Sequence, residues 1–226
     1  MRYLLFTLCL LLSQQAFAQN TDQNRVKGKV SFPALKKRIK KGNDYNKDGT
    51  AMMHSDDPMA QMNRNVIVSL LPLSFKAEVK PLSNARITQK EQTFLPHVLA
   101  VTKGTTIYFL NEDEFFHNIY SLSPGARFNI GRRPPGNPYP IKIKKLGVIK
   151  LSCDIHPHMN GFILSLNTPY FTRVNADGTY DLSGLPNGKY LLKVFHPQLP
   201  IQEFSIDLDK GQTLTFDIDL SDSEPR

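Results

Sequence analysis

Apolar residues fall along this chain in short runs separated by Gly, Pro, Asn and Asp, without sustained recurrence at three and four positions. The runs 26–32 (VKGKVSF) and 65–73 (NVIVSLLPL) are β-branched and read as strands. The polar stretch between them is too long for a compact loop and reads as an excursion from a sheet. From Ile87 onward the runs recur at 98–102, 106–110, 118–122, 141–144, 147–153 and 161–166, then at 171–174, 179–182, 189–195, 202–208 and 213–220. Ala176-Asp177-Gly178 and Pro186-Asn187-Gly188 supply the positive-φ positions that tight hairpins require. Short strands at this spacing predict an all-β chain built as an antiparallel sandwich or barrel.

Residues 1–18 form a different pattern. Arg2 precedes an apolar core at 3–12, and Ala16-Phe17-Ala18 is a small-x-small cleavage site before Gln19. This predicts an export signal cleaved after Ala18 and a periplasmic protein. A lipoprotein reading through Cys9 is rejected, because Cys9 lies inside the apolar core with Leu8 before it. Beyond residue 18 no apolar run approaches the ~20 residues needed to span a bilayer, so no membrane span is expected.

Composition narrows the picture: of 226 residues, 40% are hydrophobic and 21% charged, as in globular proteins. The net charge of +8 is unevenly spread, with 12 basic against 6 acidic residues in 19–84, 10 against 5 in 85–167, and 5 against 9 in 168–226. Nucleic acid is not expected as the partner of the Lys36-Lys37-Arg38-Ile39-Lys40-Lys41 run, since export argues against it and no helix-turn-helix, RNP or zinc-finger spacing appears. A solvated basic loop, or a docking surface for an acidic protein, fits better.

The excursion holds Asp44-Tyr45-Asn46-Lys47-Asp48-Gly49, half of an EF-hand loop, but the twelfth position is Ser55 and no helix pattern flanks it, so calcium is set aside. Met52, Met53, His54, Met59 and Met62 are soft donors that could take Cu(I) as a secondary copper site; a surface loop is the simpler reading.

Loss of Cys9 with the leader leaves Cys153 as the only thiol, in an oxidising compartment where structural cysteines come in pairs. Around it runs Leu151-Ser152-Cys153-Asp154-Ile155-His156-Pro157-His158-Met159-Asn160-Gly161. A strand would send Cys153 and His156 to opposite faces, so Cys153, His156 and Met159 converge only if the segment is a loop folded around a centre. Thiolate, imidazole and thioether make a soft set that suits copper, and a His₂Cys site with a weak axial Met is the blue-copper electron-transfer centre. The set needs one more histidine. His117 stands at the far end of the 106–110 strand, where a sandwich can bring it beside the Cys153 loop.

Phe94-Leu95-Pro96, Gly104, Asn111-x-Asp113-x-x-x-His117-Asn118 and Cys153-x-x-His156-x-x-Met159 together resemble the cupredoxins, and the short Cys-to-His-to-Met loop is similar to that of amicyanin. Among these the chain most resembles the periplasmic plastocyanin-like proteins labelled methylamine utilisation proteins; the label does not establish that substrate. The resemblance implies a Greek-key β-sandwich over 85–167, one type 1 copper held by His117, Cys153, His156 and Met159, and Asn118 hydrogen-bonding near the thiolate. Residues 168–226 are similar to the smaller transthyretin-like or carboxypeptidase-regulatory sandwich, through Asn175-Ala176-Asp177-Gly178-Thr179-Tyr180 and Leu185-Pro186-Asn187-Gly188-Lys189-Tyr190. That likeness implies a discontinuous second sandwich to which 19–84 contributes.

Rival chemistries are weaker. A multicopper oxidase cluster needs more paired histidines than the six in this chain. Zinc takes Met poorly, and a papain-like Cys/His nucleophile lacks its local sequence context. His158 reads as an exposed loop residue, and His97 and His196, each beside a proline, as strand-end residues. The expectation is a carrier and not an enzyme, passing single electrons between redox proteins; the resemblance implies that they pass through His156, with Pro157, Met159, Phe115 and Phe116 as candidates to surround its ring. The alternative is a copper-trafficking or sensing protein.

Overall fold

The computed structural model describes residues 23–32 and 58–221. The leader, the basic run, the half EF-hand loop and Met52, Met53 and His54 lie outside the described residues. In chain order the elements are β1 (Asn24–Ser31), α1 (Pro58–Arg64), β2 (Ile67–Pro72), β3 (Ala85–Lys90), β4 (Thr93–Leu95), β5 (Val98–Thr102) and β6 (Thr106–Asn111). Then come β7 (Tyr120–Ser121), β8 (Phe128–Asn129), β9 (Tyr139–Lys142), β10 (Gly147–Ser152) and β11 (Asn160–Leu166). The chain continues through β12 (Phe171–Arg173), β13 (Thr179–Leu185), β14 (Gly188–Phe195), β15 (Gln202–Leu208), β16 (Thr213–Thr215) and β17 (Ile218–Asp219).

The described residues are all-β apart from α1, a correction to the loop expected over Met59 and Met62. Four sheets form two sandwiches. In one, β4-β3-β6-β9 faces β5-β11-β10-β7-β8 across a core that includes Ile87, Phe94, Ile107, Ile149 and Ile163. In the other, β12-β2-β14-β15 faces a sheet in which β13, β16 and β17 all pair with β1, across Val26, Val68, Tyr190, Leu192 and Leu208. Three of the four sheets are mixed, and β12-β2-β14-β15 alone is purely antiparallel: β1 runs parallel to β16 and β17, β3 to β6, and β5 to β11. At Gly28 in β1 a Cβ would run into the Phe216 carbonyl oxygen, so the close passage of the last strands requires glycine there.

Period-two alternation explains how the sandwiches stack. On β5 and β11, Leu99, Val101 and Ile163 enter the first core, while Val98, Ala100, Phe162 and Leu164 meet Ile67, Phe171 and Phe195 in a third cluster between the sandwiches. These strands are buried on both faces, which is why they read as continuous apolar runs. Arg173 bridges the same junction, its guanidinium donating to the carbonyls of Arg64 and Val98; burial lowers its pKa.

His196, just past β14, is 3% exposed. Burial, reinforced by His97, pushes its pKa down to about 4, so the folded protein keeps it neutral where the unfolded chain protonates. Its contribution is therefore complete above about pH 6.5 and is lost as pH falls toward 4, amounting to about 3 kcal/mol. Urea unfolding at pH 7.5 and 4.5 should show a drop in stability that His196→Gln largely removes; an equal drop in the variant would refute this.

Candidate metal centre

His117 sits on the connection from β6 to β7, a segment fixed by Asn111. The Asn111 side chain donates to the carbonyls of Phe115 (2.7 Å) and Arg133 (3.1 Å) and accepts the Asp113 N–H (3.0 Å). His117 and Arg133 exchange backbone hydrogen bonds of 3.0 and 2.6 Å. Cys153 leaves the end of β10, and Ser152 there pairs with both Asn160 of β11 and Tyr120 of β7, so the β10–β11 loop stands beside the His117 segment. The loop turns back where the Met159 N–H donates to the His156 carbonyl at 2.9 Å.

The ligand atoms of His117, Cys153 and His156 lie within 4.8 Å of one another. Nδ1 of His117 is 3.1 Å from Nδ1 of His156 and 4.0 Å from Sγ of Cys153. His117 is fully buried and Cys153 is buried in the first core. Met159 is also buried in that core, so it is not part of a surface around His156 as the sequence reading had it. Pro157 and His158 are exposed.

Asp113 is the residue whose role the sequence reading missed, although a carboxylate four positions before a candidate ligand histidine was a usable signal. Its Oδ2 lies 2.7 Å from Nε2 of His117. The same carboxylate accepts the N–H groups of Glu91 (2.6 Å) and Gln92 (3.0 Å), which form the β3–β4 turn at φ of 50° and 54°. Burial pushes the Asp113 carboxyl upward, but the bonds from Gln92, His117 and Glu91 outweigh it and hold the pKa below the ordinary value. An ionised Asp113 accepts from Nε2–H, and the Nδ1 lone pair of His117 is thereby aimed at the Cys153 and His156 side. The pKa of His156 is lowered by burial first, then by His117 and His158, with Asp113 opposing, which favours the neutral imidazole a metal requires.

Two nitrogens each about 2.0 Å from one ion in tetrahedral array would stand about 3.3 Å apart, close to the 3.1 Å between the two Nδ1 atoms. One thiolate and two imidazoles suit copper. Asn118 is buried beside His117 with its Oδ1 unpartnered, and no hydrogen bond joins it to Cys153. Phe115 and Phe116 are exposed, and with Arg132, Ile155 and His156 they line a shallow depression. The Phe115 ring centroid is 5.1 Å from that of His117 and 5.4 Å from that of His156.

No protein-family profile matches the chain, and no curated protein matches it. Solved structures similar to part of it include a cupredoxin, a nitrite reductase and amicyanin. A purple cupredoxin from Nitrosopumilus maritimus is 24% identical and covers 37% of this chain and 100% of its own, with a TM-score of 0.34. A copper-containing nitrite reductase from Thermus scotoductus is 26% identical over 42% of this chain and 25% of its own length, at 0.36. An amicyanin variant in its Cu(I) form is 17% identical over 43% of this chain and 99% of its own, at 0.35.

Proposed function

We propose that this protein is an exported, periplasmic type 1 copper protein that carries single electrons between redox proteins. The observation that carries the reading is the convergence of Nδ1 of His117, Sγ of Cys153 and Nδ1 of His156, with Asp113 fixing the His117 ring. His117, Cys153, His156 and Met159 would hold one copper, which supplies a one-electron couple when bound. Residues 85–167 form the copper unit, and the described residues on either side of it together form the second sandwich.

The residues around the centre serve this role in distinct ways. Asp113 holds the proton on Nε2 of His117 and so keeps Nδ1 available. The apolar core closes over Cys153 and excludes water from the thiolate. His156 is half-buried at the depression lined by Phe115 and Phe116, which makes its ring the route for electrons to and from a partner. A small, partly apolar contact suits a transient redox encounter, and Arg132 beside it favours an acidic partner.

The test is a redox titration of the Cu(II)-loaded protein followed by its visible spectrum. Reversible bleaching by one electron per chain supports the carrier; a colourless protein that binds only Cu(I) overturns it in favour of trafficking. Electron exchange with an inorganic oxidant should collapse in His156→Ala and change less than about threefold in His158→Ala, since exposed His158 is not among the converging ligands. Equal losses in the two variants would refute the assignment of His156.

A further inference from the structure

A cleft of about 440 Å³ opens between the two sandwiches, within the size range of small-molecule sites. Phe162, His97 and Asn160 stand on one side of it, and Met62, His196 and Gln198 on the other. In a chain that is 21% charged, none of the described residues lining it is Asp, Glu, Lys or Arg. Apolar surface predominates.

The polar groups in it are already oriented. Nε2 of His97 lies 3.1 Å from Oδ1 of Asn160, and the His97 ring packs edge-on against Phe162 at 5.5 Å. The Gln198 N–H donates to Nδ1 of His196 at 3.3 Å, so the remaining proton of that neutral ring is on Nε2, which has no partner among the described residues. The imidazoles do not make this a metal site: the His196 lone pair is engaged by Gln198, and the single convergent metal-ligating cluster among the described residues is the one at Cys153.

We propose that this cleft binds an uncharged aromatic alcohol, with its ring between Phe162 and Met62 and its hydroxyl exchanging hydrogen bonds with imidazole and amide groups of the two walls. An ionised ligand of the same shape is rejected, because none of the described lining residues is an Asp, Glu, Lys or Arg that would compensate the loss of its hydration. The ligand would sit against His158 and Met159, on the loop that also carries Cys153 and His156.

Titrating the full chain with resorcinol and, separately, with 3-hydroxybenzoate, followed by amide NMR shifts, tests this. Saturable shifts confined to residues on both walls, such as Asn160, Phe162 and Gln198, are expected with resorcinol, and at least tenfold weaker binding with the anion. Gln198 is exposed, so Gln198→Trp fills the cleft without entering a core, and it should abolish the resorcinol shifts at unchanged far-UV circular dichroism; exposed Gln61→Trp does the same from α1 if the first variant misfolds. Scattered or absent shifts, equal binding of the two probes, or full binding in the filled variants would overturn the proposal.

Discussion

Cys153→Ser is expected to remove the visible band of the Cu(II)-loaded protein altogether and to weaken copper binding by more than about 100-fold, beyond the range typical of outer-sphere changes. The reason is electronic before it is geometric. A serine hydroxyl stays protonated at neutral pH and is a hard donor, so it replaces neither the charge nor the softness of the thiolate. Its size is right, but Cys153 is 3% exposed in an apolar core, and an unpaired hydroxyl there costs about 1–3 kcal/mol. Cys153→Ala removes the same ligand without introducing that hydroxyl. Loss of the band in both variants, with urea midpoints showing Ala the less destabilised, separates ligand loss from unfolding. A band that survives in either variant would sink the proposed copper site.

What the sequence disclosed about this architecture follows the physics of each element. Strands β5 and β15 were legible to the residue, since apolar or alternating runs bounded by turn residues have few other conformations. The hairpin of β3 and β4 was not. Its turn is Glu91-Gln92, with neither Gly nor Asn at the positive-φ positions, and it is held by a carboxylate from beyond the next two strands. A turn stabilised by a distant partner leaves no local signature. Parallel pairings such as β3 with β6 are hidden for the same reason. At the candidate centre, donor chemistry and spacing pointed to Cys153 and His156, and the loop between β10 and β11 was inferable because a strand would have separated them. That His117 needs Asp113 to orient it, and that Met159 faces inward, became visible only once the sandwich brought those segments together.

The second large effect is expected at Asp113. Three donors converge on its two oxygens: Glu91 N–H on Oδ1, and Gln92 N–H and His117 Nε2–H on Oδ2. Asp113→Asn keeps the shape but turns one oxygen into an NH₂ group. In one orientation that group opposes the Glu91 N–H; in the other it faces His117, where it favours the tautomer with the proton on Nδ1, the atom that points toward Cys153 and His156. Copper affinity should fall about 10–100-fold, the usual cost of losing an outer partner of a ligating histidine. Stability should fall by about 1–3 kcal/mol as the turn donors lose their acceptor. The acid side adds a sign test. Because the folded pKa of Asp113 is depressed below 3.8, its stabilisation is present above that value and is lost as pH falls below it; the asparagine variant should lack that part of the acid transition. Adding Gln92→Gly then separates the two functions of the carboxylate. Glycine accepts positive φ without strain, so it should recover part of the lost stability, about 1 kcal/mol. It should recover none of the copper affinity, because Gln92 has no bond to the His117 ring. Competition titration of copper and urea unfolding of the single and double variants measure both quantities. If affinity and stability return together, the turn and not the histidine tautomer is what Asp113 supplies to the metal centre.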